Sequence, residues 1–173
     1  MPLNESPLPA ESFKDTVLVA INIHHPDLRI ELAWLKKYLS KLVRNEGPEQ
    51  KFWISIYNQF FEFSSVIDRH MFREETTLFP YLEAKERDVK VQTALNLEES
   101  PHNVIRDHKV ISQQWSALTE AIKGYPGPFK NKLLVEDFRS NIAEFEVALK
   151  VHDEYETREI YEKAAKTGFL RPS

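Results

Sequence analysis

The chain contains no cysteine, which removes disulfides, thiolate zinc sites, iron–sulfur clusters and thiol nucleophiles at once. Any metal must therefore be held by nitrogen and oxygen. Glycine is scarce, four residues in 173. None of the four builds a phosphate-cradling loop, and no spacing argues for a serine–histidine–aspartate arrangement. The formal net charge is -4 and no run of lysine or arginine interleaves with aromatics, so the footprint of a nucleic-acid binder is missing. No stretch approaches the roughly twenty uninterrupted apolar residues of a membrane-spanning helix. Residues 1–12 hold three prolines and two glutamates and read as a flexible arm rather than a signal peptide. With 42% hydrophobic and 29% charged side chains, the remainder is expected to be one domain with a real core, placed by default in the cytoplasm. The oligomeric state stays open.

What the chain does have is a device used twice. His70 with Glu74, and His152 with Glu156, each put a histidine and a carboxylate one turn apart on the apolar stripe of a helix. The first stripe reads Ile56, Phe60, Phe63, Ile67, His70, Glu74, Leu78; the second reads Phe138, Ile142, Phe145, Leu149, His152, Glu156, Ile160. Both are core faces by periodicity. An ionised carboxylate in an apolar core must be paired, protonated or given to a metal.

Two lone histidines occupy matching stripes. Leu18, Ile21, His25, Leu28, Leu32, Leu35, Leu39 and Leu42 form one; Val104, His108, Ile111, Trp115, Leu118 and Ile122 form the other. The chain is thus a doubled unit, a lone histidine on one helix and a His-x-x-x-Glu on the next. Two copies favour a closed bundle over a solenoid. The expected helices are 13–44, 48–85, 101–123 and 129–166, with a tail over 167–173, in an all-α, antiparallel up-down-up-down four-helix bundle.

The heights agree. Antiparallel helices that share one metal layer should turn near the midpoint between their ligands, since both rise about 1.5 Å per residue. The midpoint of His25 and His70 falls between Gly47 and Pro48, that of His108 and His152 at Lys130 beside Gly124–Pro128, and that of His70 and His108 at Val89 in a polar stretch. The candidate ligands are therefore His25, His70, Glu74, His108, His152 and Glu156. Imidazoles and carboxylates suit iron, manganese or zinc, in a site large enough for two ions. Pro26 is expected to kink the first helix, which could turn His24 inward. His102, Asp153 and Glu154 read as solvated, Glu75 as a supporting or surface group, and Trp115, Phe63 and Tyr155 as packing around the site.

The segments His25–Leu32, His70–Pro80, Asp107–Ile111 and His152–Glu156 resemble the hemerythrin-like, or HHE cation-binding, family over about Ile23 to Tyr161. The resemblance implies a bridged di-iron centre, two irons per chain ahead of manganese or zinc, with Glu74 and Glu156 bridging and the four histidines terminal. It also implies a partner such as O2, another diatomic or peroxide. The function so implied is binding or sensing of O2 or a small oxidant, or else a di-iron oxidase, oxygenase or peroxidase acting on a small organic substrate. Respiratory members are similar but carry a second histidine one turn away on the third helix, where this chain has Val104 and Ser112. Met71 and Thr157 stand where some relatives have further acids. One terminal ligand fewer implies a more open metal pair.

Overall fold

The four apolar stripes become four helical rods in the computed structural model, which describes residues 12–45, 47–89, 101–125 and 128–170, the side chains of 101–105 excepted. The arm at 1–11, most of the connection after Val89, the Ser100 cap and the side chains of His102 and Val104 lie outside the described residues. The first rod comprises α1 (Phe13–Val19), a π-helical turn (Ala20–His24) and α2 (His25–Arg44). The second comprises α3 (Gln50–Arg73), a π turn (Glu74–Leu78) and α4 (Phe79–Glu86). The third is α5 (Pro101–Lys123). The fourth comprises α6 (Lys132–Tyr155), a π turn (Glu156–Tyr161) and α7 (Glu162–Lys166). No strand occurs among the described residues.

Local chemistry sets the ends. Ser12 Oγ accepts from the Asp15 amide at 3.1 Å and starts α1, while Asn131 Oδ1 accepts from the Leu134 amide at 3.1 Å and starts α6; both are ordinary N-caps. The fourth rod therefore begins at Lys132 rather than Phe129, and the second at Gln50 rather than Pro48, which stays in the turn. Gly168, at φ +74, lets the chain double back after α7. Leu170 is then buried, and the Phe169 ring lies 5.7 Å from Phe13.

The three π turns are the departure from simple periodicity. In each, an amide N–H reaches five residues back: His25 to Ala20, Phe79 to Glu74, and Glu162 to Thr157. Two of them have a proline two residues beyond their end, Pro26 and Pro80. A helical proline has no N–H, and its ring collides with the carbonyl four residues back. A widened turn moves that carbonyl aside. In place of the expected kink at Pro26 the rod carries a π turn, and His24 is not turned into the interior: it is half-buried with its ring 4.6 Å from Tyr155.

The extra residue also re-phases the helix upstream. Leu18, expected on the inner stripe, is 40% exposed, and Ile21 is only partly buried; Phe13, Val17 and Ala20 face inward instead. Downstream of His25 the stripe runs as the sequence indicates, with Leu28, Leu32, Leu35, Leu39 and Leu42 all buried.

The result is an antiparallel bundle in which α2 lies against α3 and α6, and α3 against α5. The seam between α5 and α6 is closed by side chains, notably Trp115 against Phe145 at 4.6 Å. A large core fills the end of the bundle away from the π turns, built on Trp53, Phe60, Phe63, Phe138 and Phe145 with the α2 leucines. A smaller apolar cluster, including Phe13, Val17, Leu78, Phe79, Leu82, Ile160 and Ala164, fills the other end. A polar layer separates the two.

Candidate metal centre

All six residues expected from the sequence meet in that layer. His25, His70, Glu74, His152 and Glu156 are buried, and His108 is close to it at 11% side-chain exposure. Each histidine turns Nε2 towards the two carboxylates. His25 Nε2 lies 3.1 Å from Glu156 Oε1 and 3.4 Å from Glu74 Oε2. His70 Nε2 lies 3.3 Å from Glu74 Oε2. His108 Nε2 lies 3.1 Å from Glu156 Oε2 and 3.7 Å from Glu74 Oε1, and His152 Nε2 lies 3.4 Å from Glu156 Oε2. Two four-residue groups result, His70/His108/His152/Glu156 and His25/Glu74/His152/Glu156, in each of which one donor atom per residue falls within 4.8 Å of the others.

These spacings fit cations. Donors about 2.1 Å from one metal, at the right angles of an octahedron, stand about 3 Å apart. Hydrogen bonding alone does not satisfy the cluster: both ring nitrogens of His70, Oε2 of Glu74 and Nδ1 of His152 are buried without a hydrogen-bond partner. His70 Nε2 and Glu74 Oε2 are near each other yet misaligned for a bond. A fully dry core leaves few such atoms, and so many in one layer mark a place built for an ion.

Two of the outward ring nitrogens are held by acids and a third faces one. His25 Nδ1 donates to Glu75 Oε1 at 2.7 Å, and the same oxygen accepts from Arg29 at 2.8 Å. His108 Nδ1 bonds Asp153, and His70 Nδ1 stands 3.8 Å from Asp107, which Arg73 grips. An acid behind an imidazole fixes which nitrogen carries the lone pair inward. Asp153, expected on a solvated face, is thus partnered, although still half-exposed. Its i+1 position beside His152 hid it, because its partner is on another helix.

Electrostatics keep the cluster charged in the absence of metal. Burial pulls His25 down, but the bonds to Glu156 and Glu74 outweigh it and hold the group up at about 10. Burial likewise opposes and Asp153, Glu156 and Glu74 overcome it at His108, which sits well above its usual value. At His152 burial wins over the two glutamates and lowers the group to about 4. Burial would raise Glu74, but the surrounding His70, His108 and His25 keep it well below the usual carboxylate range.

Sequence periodicity missed one member. Tyr161 is buried, and its hydroxyl donates to Glu74 Oε1 and to Glu156 Oε2 (3.2 Å), and lies 3.1 Å from His108 Nε2. It is five residues past Glu156, a position that an α-helix turns about 140° away. Only the π turn Glu156–Tyr161 brings it in, and no proline follows that turn to announce it.

A cavity of about 220 Å³ opens onto the layer between α5 and α6. Its floor is His70, His108 and His152, its walls are Ile111, Trp115 and Leu149, and Lys150 and Glu146 stand on its rim. The histidines of this floor belong to one of the two donor groups; the other group is completed by His25 and Glu74, both fully buried. No helix among the described residues is long and apolar enough to cross a membrane.

No curated protein and no solved structure matches the chain. A family model described as hemerythrin HHE cation binding domain matches residues 16–164.

Proposed function

Because the chain belongs to the hemerythrin HHE cation-binding family, we propose that it is a dinuclear non-haem iron protein that binds or senses O2 or a related small oxidant. One observation carries the reading: the two donor groups overlap at His152 and Glu156, as two adjacent cations require. An imidazole nitrogen has a single lone pair to give inward, so His152 serves one ion. Glu156 can serve both, since Oε1 is beside His25 Nε2 and Oε2 beside His108 Nε2, each at 3.1 Å. Glu74 spans the same gap, Oε2 near His25 and His70 and Oε1 towards His108. The two glutamates would each serve both ions, and His25, His70, His108 and His152 would each serve one.

Iron held there, ahead of manganese or zinc, would supply one-electron redox chemistry and open coordination positions. The protein's part is to hold the set rigid. Glu75 and Asp153 orient two imidazoles, Asp107 places a negative charge behind a third, and Ile111, Trp115 and Leu149 give the approach an apolar lining that suits a neutral diatomic molecule.

A second reading follows from the size of that approach. A cavity of about 220 Å³ far exceeds the roughly 10–15 Å³ that one water needs, so a small organic molecule fits beside the accessible position and an oxidase, oxygenase or peroxidase is the alternative.

Metal analysis tests the common premise, with about two irons per chain expected. His152→Ala and Glu74→Ala should each lose at least one while keeping most helicity; full retention in both refutes the ligand assignment. The reduced, iron-loaded protein exposed to air then separates the readings. A colour that reverses under vacuum supports carriage, a single irreversible oxidation supports sensing, and sustained peroxide consumption or co-oxidation of a small molecule supports an enzyme.

A further inference from the structure

We infer that Tyr161 is a seventh ligand, its phenolate oxygen coordinating the ferric ion at the position that His108 and Glu156 face; this rests on the dinuclear iron reading above. The hydroxyl oxygen stands 3.1 Å from His108 Nε2 and 3.2 Å from Glu156 Oε2. These are the same separations that relate the histidine and glutamate donors to one another, 3.1–3.4 Å for His25, His70 and His152. By position, then, the phenol oxygen is one more corner of the donor set.

The backbone supports the assignment. The π turns before Pro26 and Pro80 have a local steric cause, but the turn Glu156–Tyr161 has none in its own sequence. π turns are rare and gather at functional sites. This one keeps Ile160, Ala164 and the Tyr161 ring in the apolar end cluster while aiming the Tyr161 hydroxyl at the polar layer. Among its described side chains the third rod, meanwhile, gives the layer a single donor, His108, with Ser112 exposed one turn on. Tyr161 reaches the cluster on the His108 side.

Coordination breaks the phenol O–H bond and forms an iron–oxygen bond, and the proton leaves to water. A hard anionic oxygen stabilises ferric over ferrous iron. The position so occupied is biased against reversible oxygen carriage and towards a one-way response to an oxidant.

The test loads the full chain with ferrous iron under anaerobic conditions, oxidises it in air, counts the iron, and records the visible spectrum and resonance Raman scattering. Phenolate bound to iron(III) gives a charge-transfer band whose excitation enhances tyrosine ring modes, and these shift when the protein carries ring-deuterated tyrosine. The expected result is about two irons per chain with those modes present. Tyr161→Phe should keep the iron and lose the band, and Tyr155→Phe, whose native hydroxyl donates to the Thr16 carbonyl at 3.0 Å, should keep both. A full iron complement without tyrosine modes in the wild-type chain overturns the inference and leaves the dinuclear reading standing. A chain that takes up no iron overturns both. Tyrosine modes that persist in Tyr161→Phe assign the ligand to another residue and also overturn it.

Discussion

Glu75→Gln isolates the support of one imidazole from the imidazole itself. Glu75 is not a candidate ligand: its Oε1 accepts from His25 Nδ1 at 2.7 Å and from Arg29 at 2.8 Å, on the outer side of the ring. With the acid in place, Nδ1 keeps a proton and Nε2 presents its lone pair to the layer, 3.1 and 3.4 Å from the Glu156 and Glu74 carboxylates. A glutamine amide can either accept or donate at that spot, so the ring loses the charge that makes it a stronger donor and also its fixed tautomer. Losing such a partner costs about 10–100-fold in metal affinity, equivalent to about 1.4–2.8 kcal/mol. The loss should fall at the upper end, because His25 is wholly buried and Glu75 itself is only 25% exposed. Asp153, 52% exposed behind His108, should cost less when changed to Asn. The assay is competition for ferrous iron or zinc against a chromophoric chelator, with circular dichroism to confirm unchanged helicity. Equal affinity in Glu75→Gln and wild type would refute the argument that the outer acids set the inner donors.

The remaining expectations concern stability, pH and access. In the metal-free chain His25 is held at about 10, above its usual 6.5, so its contribution is complete below about pH 6.5 and is lost as pH rises through 10. The unfolding free energy of the metal-free chain, obtained from thermal melts, should therefore fall between pH 7 and 10 by an amount on the order of a few kcal/mol, and a metal-free melting temperature that climbs across that range contradicts the assignment. Phe145→Ala opens a void where the ring meets Phe63 at 5.9 Å and Trp115 at 4.6 Å; calorimetry should show a loss of about 3–5 kcal/mol. Leu149→Trp narrows the cavity wall and should slow air oxidation of the reduced protein by roughly tenfold, about 1.4 kcal/mol of barrier, with the iron content unchanged. An unaltered rate would place the oxidant's route elsewhere.

The fold and the six inward donors were legible because they obey one period. Stripes with steps of three and four carry His70, Glu74, His152 and Glu156, and the midpoints between histidines fall at or beside the turns that separate α2 from α3 and α5 from α6. What periodicity hid is whatever is re-phased by a π turn. Leu18 and Ile21 fit the stripe drawn back from His25, yet the residue inserted at Ala20–His24 moves Phe13, Val17 and Ala20 to the inside. Tyr161 was hidden by the same geometry. Pro26 and Pro80, each two residues beyond a π turn, were the available signal for the first two. The pairing of His108 with Asp153 crosses between helices, and no spacing within a single segment records it.

The polar layer works as a waist. Above it, the cluster around Phe13, Phe79 and Ala164 draws its described residues from three rods, the first, second and fourth, and each of these enters through a widened turn beside His25 or at Glu74 or Glu156. A π turn is a weak link in a helix, so this cap is coupled to the rest of the molecule less through its backbones than through whatever fastens those three residues to one another. A bound ion pair would act as a rivet through all three hinges. Stripping it should let the cap's amides exchange with solvent well before those of the large core, which turns the metal content of the protein into a setting for how firmly its end is closed.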